Sequence, residues 1–293
     1  MSPPPRDALH FPQSSRPFLE PYLPLHRSWH NPYLPDDSTP FPFTTLTFAQ
    51  SLDSSISLAP GTQTALSGPE TKAMTHYLRA RHDGILVGIG TALADDPSLN
   101  CRLEGVGGYG GRGLNMQPRP VIVDPKGRWL DVAEGSKVMK LARERRGRGP
   151  WVVMAWTDDS EVLGRVNAID RLLEGVGGKV LMVEPRTNKE TEEKRLDWGD
   201  VLAMLKREGL DSLMVEGGQR VINELLREEY QELVNLVIIT IAPTWLGQGG
   251  VVVSPERKSA EQGNASAVGR LTNTRWQQMG DDVVLCGQLP HKK

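Results

Sequence analysis

The sequence predicts an α/β fold: a mixed, mostly parallel sheet flanked by helices. Three observations predict it. Short apolar runs of strand length recur along the chain, stretches with helix signals separate them, and glycines sit where strands turn into helices. Strand–helix alternation of this kind places helices on both faces of a largely parallel sheet, and the C-terminal runs are spaced closely enough to add antiparallel strands.

The elements follow in order. Residues 3–42 hold half of the 22 prolines, interspersed with Phe11, Phe18, Tyr22, Trp29 and Tyr33. Proline removes backbone donors and fixes φ, so residues 1–42 read as an extended arm without regular secondary structure, ahead of a domain at 43–293. The aromatics leave open a second reading, a peptide docked on the domain or on a partner subunit. Phe43–Gln50 is β-branched and aromatic and predicts the first strand. Ser67 and Glu70 form a capping box with Pro69 in the first turn, launching a helix to about Arg81. Gly84–Ile89 reads as a buried strand, and Pro120–Val123, Trp151–Ala155 and Lys179–Val183 as further strands. Helices are expected near Ser160–Glu174 and Trp198–Glu208, and glycine-rich loops at Glu104–Gly113 and Gly175–Gly178. Leu213–Val215 is a strand that runs through Gly217 and Gly218 into a helix ending near Glu229. Leu233–Ile241 and Val283–Leu289 complete the strands. The basic run Arg143–Arg148 lies between a short helix and a strand and reads as a solvated turn.

Composition narrows the function. With 293 residues, 38% apolar and 24% charged, the chain can bury a sizeable core, and a net charge of −2 gives no overall attraction to nucleic acid or to a membrane surface. No apolar run approaches the roughly 20 residues of a membrane span. The two cysteines, Cys101 and Cys286, are far apart and form no CxxC, so neither a disulfide framework nor a metal site is expected, and a cytoplasmic setting is the simplest reading.

Two motifs carry chemistry. In LMVEGGQRVINELL, a strand ends in Glu216 and two glycines and a helix begins at once. Glycine lets backbone N–H groups approach a ligand, and a helix N-terminus favours phosphate; a tight strand-to-helix turn would need the same residues. The partner motif is Val87-Gly88-Ile89-Gly90-Thr91, followed by Asp95. It is not a full dinucleotide fingerprint, because position 93 is Leu and no acidic residue follows about 20 positions on at the end of a second strand. Thr91 and Asp95 instead fall on successive turns of a short helix, placed to grip ligand hydroxyls or amides. His76 and His82 belong to the preceding helix and read as structural.

The runs SLDSSIS (51–57), HDGILVGIGTALADDPSLNCR (82–102), RPVIVDP (119–125), MVEGGQRVINELL (214–226) and GDDVVLCGQL (280–289) closely resemble the riboflavin-pathway reductases. That family comprises the C-terminal domain of bacterial bifunctional deaminase-reductases and its stand-alone counterparts. The resemblance covers about residues 43–289. It implies a dihydrofolate-reductase-like fold, a homodimer, and reduction by NADPH of the ribosyl group of a phosphorylated ribosylaminopyrimidine. It further implies cofactor contacts at Ala49, Thr91, Asp95, Val183, Gly217, Gly218, Gln219 and Arg220. On the substrate side it implies Leu99, Arg102, Arg79 and Glu216. Asp53 and Glu216 are candidates for proton delivery or for orienting sugar hydroxyls. Arg102 also has a direct physical warrant, since a guanidinium fork binds phosphate bidentately.

The chain departs from the family where many members have DG and a basic residue, here Asp53-Ser54-Ser55. It also has no HxE…PCxxC signature of the zinc deaminase half, so a stand-alone reductase acting before deamination is expected. A pteridine or dihydrofolate-type reductase on the same scaffold, or a non-catalytic nucleotide-binding regulator, remain as alternatives.

Overall fold

The computed structural model describes residues 5–24, 39–187, 192–257 and 267–290. In chain order, α1 (Arg16–Leu19) precedes β1 (Phe43–Gln50) and the short β2 (Ser55–Ser57). Next come α2 (Pro69–Ala80), β3 (Gly84–Gly88), α3 (Ile89–Asp95), β4 (Arg119–Val123) and α4 (Lys137–Arg143). β5 (Trp151–Ala155), α5 (Ser160–Glu174) and β6 (Lys179–Val183) follow. The two-stranded ribbon of β7 (Arg186–Thr187) and β8 (Lys194–Arg195) then leads to α6 (Trp198–Arg207), β9 (Ser212–Gly217), α7 (Gln219–Leu225) and β10 (Leu236–Ile241). β11 (Val251–Val252), β12 (Thr272–Met279) and β13 (Asp282–Gln288) complete the order.

Nine strands form one sheet in the order β12-β13-β10-β1-β9-β3-β4-β5-β6. From β10 to β6 all pairings are parallel, and only the β10–β13 and β13–β12 pairings are antiparallel. β3 is buried at every position, as a central parallel strand covered on both faces must be. On one face Leu46, Leu86, Val121, Val153 and Val215 pack with Trp198, Leu202 and Ile222 of α6 and α7. On the other, Met214, Ile238 and Val284 meet Met74 and Leu78 of α2. Each such side chain contributes about 1.5–3 kcal/mol on burial.

Two expectations need correction, and one strand was missed. The Ser67–Glu70 capping box does not form: Gly68 is the N-cap and makes no side-chain cap. Its N–H instead donates to Asp282 Oδ2 at 2.8 Å, and the Thr71 hydroxyl donates to the same oxygen. A carboxylate from the last hairpin has displaced the local one. The arm does carry regular structure, a 3₁₀ turn at Gln13–Ser15 followed by α1. Phe11, Phe18, Leu19, Tyr22 and Leu23 are buried against α2 and the C-terminal strands, because burying these side chains outweighs the disorder that proline favours; Trp29 and Tyr33 lie outside the described residues. Finally, β12 was not legible. Most of its residues are exposed and polar, and it is held as an edge strand by its pairing with β13.

Candidate active site

A cleft of about 1690 Å³ opens at the carboxyl ends of β1, β3, β4 and β9, where open α/β sheets bind ligands. Its two walls are built differently.

The first wall is made of two strand-to-helix turns. β3 passes into α3 through Gly88, and β9 into α7 through Gly217 and Gly218, which are joined by a cis peptide bond. Neither N-cap, Gly88 or Gly218, has a side-chain hydrogen bond, so first-turn N–H groups of both helices border the cleft without a cap. The turns touch each other. A Cβ on Gly218 would lie 2.7 Å from Thr91 Oγ1, and one on Gly88 would lie 2.8 Å from Val221 Cγ2. Gly217 has φ of 106°, a conformation that suits glycine. Thr91 and Asp95, one turn apart on α3, both face the cleft, and burial pushes the Asp95 carboxyl above its ordinary range. Ala49, Gln219 and Arg220 line it as well.

The second wall is one face of α2 together with residues 97–102. Lys72, Thr75, His76 and Arg79 recur at helical spacing along the cleft. Arg79 is committed: Nε donates to Glu216 Oε1 at 2.7 Å, Nη2 to Oε2 at 2.6 Å, and Nη1 to the Asn100 carbonyl at 3.0 Å. Burial alone would lower the Arg79 pKa, and the Glu216 carboxylate more than offsets it, so the net direction is upward. Arg102 is different. Its side chain lines the cleft and makes no ion pair among the described residues, while its main-chain N–H donates to His76 Nδ1 at 3.0 Å. His76 is therefore the Nε2–H tautomer, and burial, with Arg79, Arg102 and Lys72 nearby, lowers its pKa to about 2. His82 lies outside the cleft, accepting from Thr45 Oγ1 at Nε2 and donating from Nδ1 to the Leu78 carbonyl.

Four residues expected at the site do not border the cleft. Gly217 supplies the turn but not the surface. Val183 is buried at the end of β6 beside Leu181 and Trp198, and Leu99 is buried against Ile85, Ile122 and Met139. Asp53 is turned the other way. It accepts from Ser51 and from the N–H groups of Gly247 (2.8 Å) and Leu246 (3.2 Å), and these bonds hold its pKa down. Its carboxylate ties the 51–54 turn to the 244–247 loop. Lys72 and Thr75 were missed, although their spacing of seven and four residues from Arg79 on one predicted helix was a usable signal. Among the described residues no group of His, Cys, Asp and Glu is placed to hold a metal ion, and no helix is long and apolar enough to cross a membrane.

The fold and cleft define a class. Residues 42–285 match the RibD C-terminal domain, and the chain belongs to that family, with its dihydrofolate-reductase-like fold. Among its relatives is the 2,5-diamino-6-ribosylamino-4(3H)-pyrimidinone 5′-phosphate reductase of Debaryomyces hansenii, 40% identical over 92% of this chain and 99% of the relative. The Saccharomyces cerevisiae protein of the same name is 39% identical over 93% of this chain and 94% of its own. The solved structure of S. cerevisiae riboflavin biosynthesis reductase Rib7 superposes with a TM-score of 0.67 at 36% identity, covering 95% of this chain and all of that one (100%). Acinetobacter baumannii RibD shares the fold at 22% identity, with a TM-score of 0.65 over 87% of this chain and 60% of its own.

Proposed function

We propose that this protein is a 2,5-diamino-6-ribosylamino-4(3H)-pyrimidinone 5′-phosphate reductase, converting the ribosylamino group to ribitylamino in riboflavin biosynthesis with NADPH as reductant. The observation that carries the reading is the pairing of walls in one cleft: uncapped helix starts beside glycines on one, and Arg102 and Lys72 without ion-pair partners among the described residues on the other.

The first wall fits a nicotinamide dinucleotide. The N–H groups after Gly88 and Gly218 suit a pyrophosphate, Thr91 and Asp95 suit hydroxyl and amide groups, and Ala49, Gln219 and Arg220 complete the contact. Lys126, Arg128 and Arg195 on the same cleft are cations suited to the extra phosphate of NADPH. Once bound, the reduced nicotinamide supplies a hydride to the former anomeric carbon of the opened sugar. Arg102 and Lys72 hold the 5′-phosphate. Glu216, fixed in rotamer by the Arg79 fork, accepts from sugar hydroxyls and orients the reacting carbon. Asp53 is no proton donor in this scheme, because it faces another loop and its bonds favour the carboxylate. Ring opening makes the former anomeric carbon an imine carbon, so hydride addition moves the C=N electron pair to nitrogen, which would take its proton from solvent.

The reading extends to a homodimer, for which the exposed edge strand β12 with Trp276 offers a surface, and to a cytoplasmic location, which suits the free thiols Cys101 and Cys286. The test is loss of NADPH absorbance with the aminated ribosylaminopyrimidine phosphate, beside its deaminated analogue and with NADH as control. Turnover favouring the aminated compound and NADPH is expected. Turnover of a dihydropterin instead would support the alternative reductase.

A further inference from the structure

The N-terminal segment does more than cover apolar surface. Leu9 pairs with the stretch that carries Arg102: its N–H donates to the Arg102 carbonyl at 2.8 Å, and its own carbonyl accepts from the Glu104 N–H at 3.0 Å. Arg102 is thus gripped on both main-chain sides, by Leu9 at its C=O and by His76 at its N–H. Two residues earlier, Asp7 forms a bidentate pair with Arg146 Nη2 at 2.9 and 2.8 Å. The same nitrogen donates to the Tyr109 hydroxyl at 2.9 Å, and that hydroxyl accepts from Asn100 Nδ2 at 3.1 Å. The Asn100 carbonyl then holds Arg79, which holds Glu216. Behind the wall, Phe11 stacks on Tyr77 with centroids 4.9 Å apart, and Glu20 accepts from both Tyr77 and Arg81. The segment therefore clasps α2 on the side away from the cleft and the 100–104 stretch from outside.

We propose that residues 7–9 of the arm are a positioning element of the substrate phosphate site. They fix the main chain of Arg102 and, through Arg146, Tyr109 and Asn100, the Arg79–Glu216 pair. This rests on Arg102 being the phosphate anchor. The physical reason is that the free guanidinium gains nothing from geometry unless its backbone is held, and a loop peptide such as 100–104 has no regular structure of its own to hold it. The cofactor wall, built on the strand ends of β3 and β9, receives no contact from residues 7–9 in any of these bonds.

The experiment uses the full chain and three variants: removal of residues 1–10, which leaves Phe11 and α1 in place, and Leu9→Pro beside Leu9→Ala. Proline deletes the N–H that Arg102 accepts; alanine keeps it. Truncation and Leu9→Pro should raise substrate KM fivefold or more, with NADPH Kd within twofold and Leu9→Ala near wild type. Equal KM in all four proteins overturns the proposal. So does a parallel loss of NADPH affinity, or equal effects of Leu9→Ala and Leu9→Pro, either of which would indicate packing alone. Calorimetric binding of ribose 5-phosphate to the NADPH-loaded proteins separates this from the proposed activity. Should wild type show no turnover yet bind ribose 5-phosphate in an arm-dependent way, the activity falls and the positioning role stands. Equal binding with and without the arm, or none to either, overturns the role.

Discussion

On the proposed reading, the two walls of the cleft each hold a phosphorylated ligand, by opposite means. The glycine wall offers backbone N–H groups and empty space, and its geometry is set by two adjacent parallel strands that end side by side. The α2 wall offers side-chain cations, and its geometry is assembled from a helix, an irregular stretch and an arm far away in sequence. A wall built from strand ends is stiff for reasons unrelated to its ligand. One built from side chains and loops depends on every partner that orients it.

That contrast can be broken at several points. The largest effect is expected from Arg79→Ala. It strands the Glu216 carboxylate, whose side chain is only 16% exposed, and removing one partner of a buried pair costs about 3–5 kcal/mol, so Tm and turnover should fall together. A stable, active variant would show that the pair does not organise the site. Arg102→Ala should come next. Losing a charge-assisted contact of about 1.5–3 kcal/mol raises substrate KM by about 10- to 150-fold while NADPH Kd, read by fluorescence titration, stays within twofold. Equal effects on both ligands would merge the two walls into one. Gly218→Val should do the reverse. The added side chain meets Thr91, and overpacking of about 1–3 kcal/mol falls on NADPH Kd with substrate binding to the loaded enzyme little changed.

Acid should weaken the whole fold rather than either wall. His76 and His82 are held neutral in the folded chain, with pKa lowered from 6.5 to about 2 and about 4, chiefly by burial. The unfolded chain binds these protons first, so their contribution is complete above pH 6.5 and is lost as pH falls towards the folded values. Each proton adds a slope of about 1.4 kcal/mol per pH unit, so urea unfolding should show destabilisation below pH 6.5 that His82→Asn lessens by one proton's slope down to about pH 4. An unchanged slope would mean that His82 is not buried neutral. The smallest effect is expected from Asp53→Asn, with kcat and KM within about twofold, since the carboxylate serves the 244–247 loop. A large fall in kcat alone would return Asp53 to the chemistry.

The sequence was legible where local pattern and tertiary structure agree. Lys179–Val183 and Trp151–Ala155 are short, mostly apolar runs of strand length and both are strands, and Gly217-Gly218 marks its turn. It was illegible where a distant residue decides. Asp282 overrides the Ser67–Glu70 box at the start of α2, and β12 exists because β13 offers it an edge. Asp53 has the right chemistry for an acid but faces Gly247, a pairing across 194 positions of sequence. Likewise Lys72 and Arg102 look alike in composition to any surface cation, and only the fold brings them to one cleft.

The apolar patch that receives Phe11, Phe18 and Tyr22 has a consequence for how the protein is made. It is completed by Met279, Val284 and Cys286, and Tyr22 donates its hydroxyl to the Asn273 carbonyl. The berth of residues 11–23 is therefore finished only by residues made about 250 positions later. Until then α2 alone can cover these aromatics, and nascent chains stalled before about residue 270 should expose more apolar surface there than chains carrying residues 273–286.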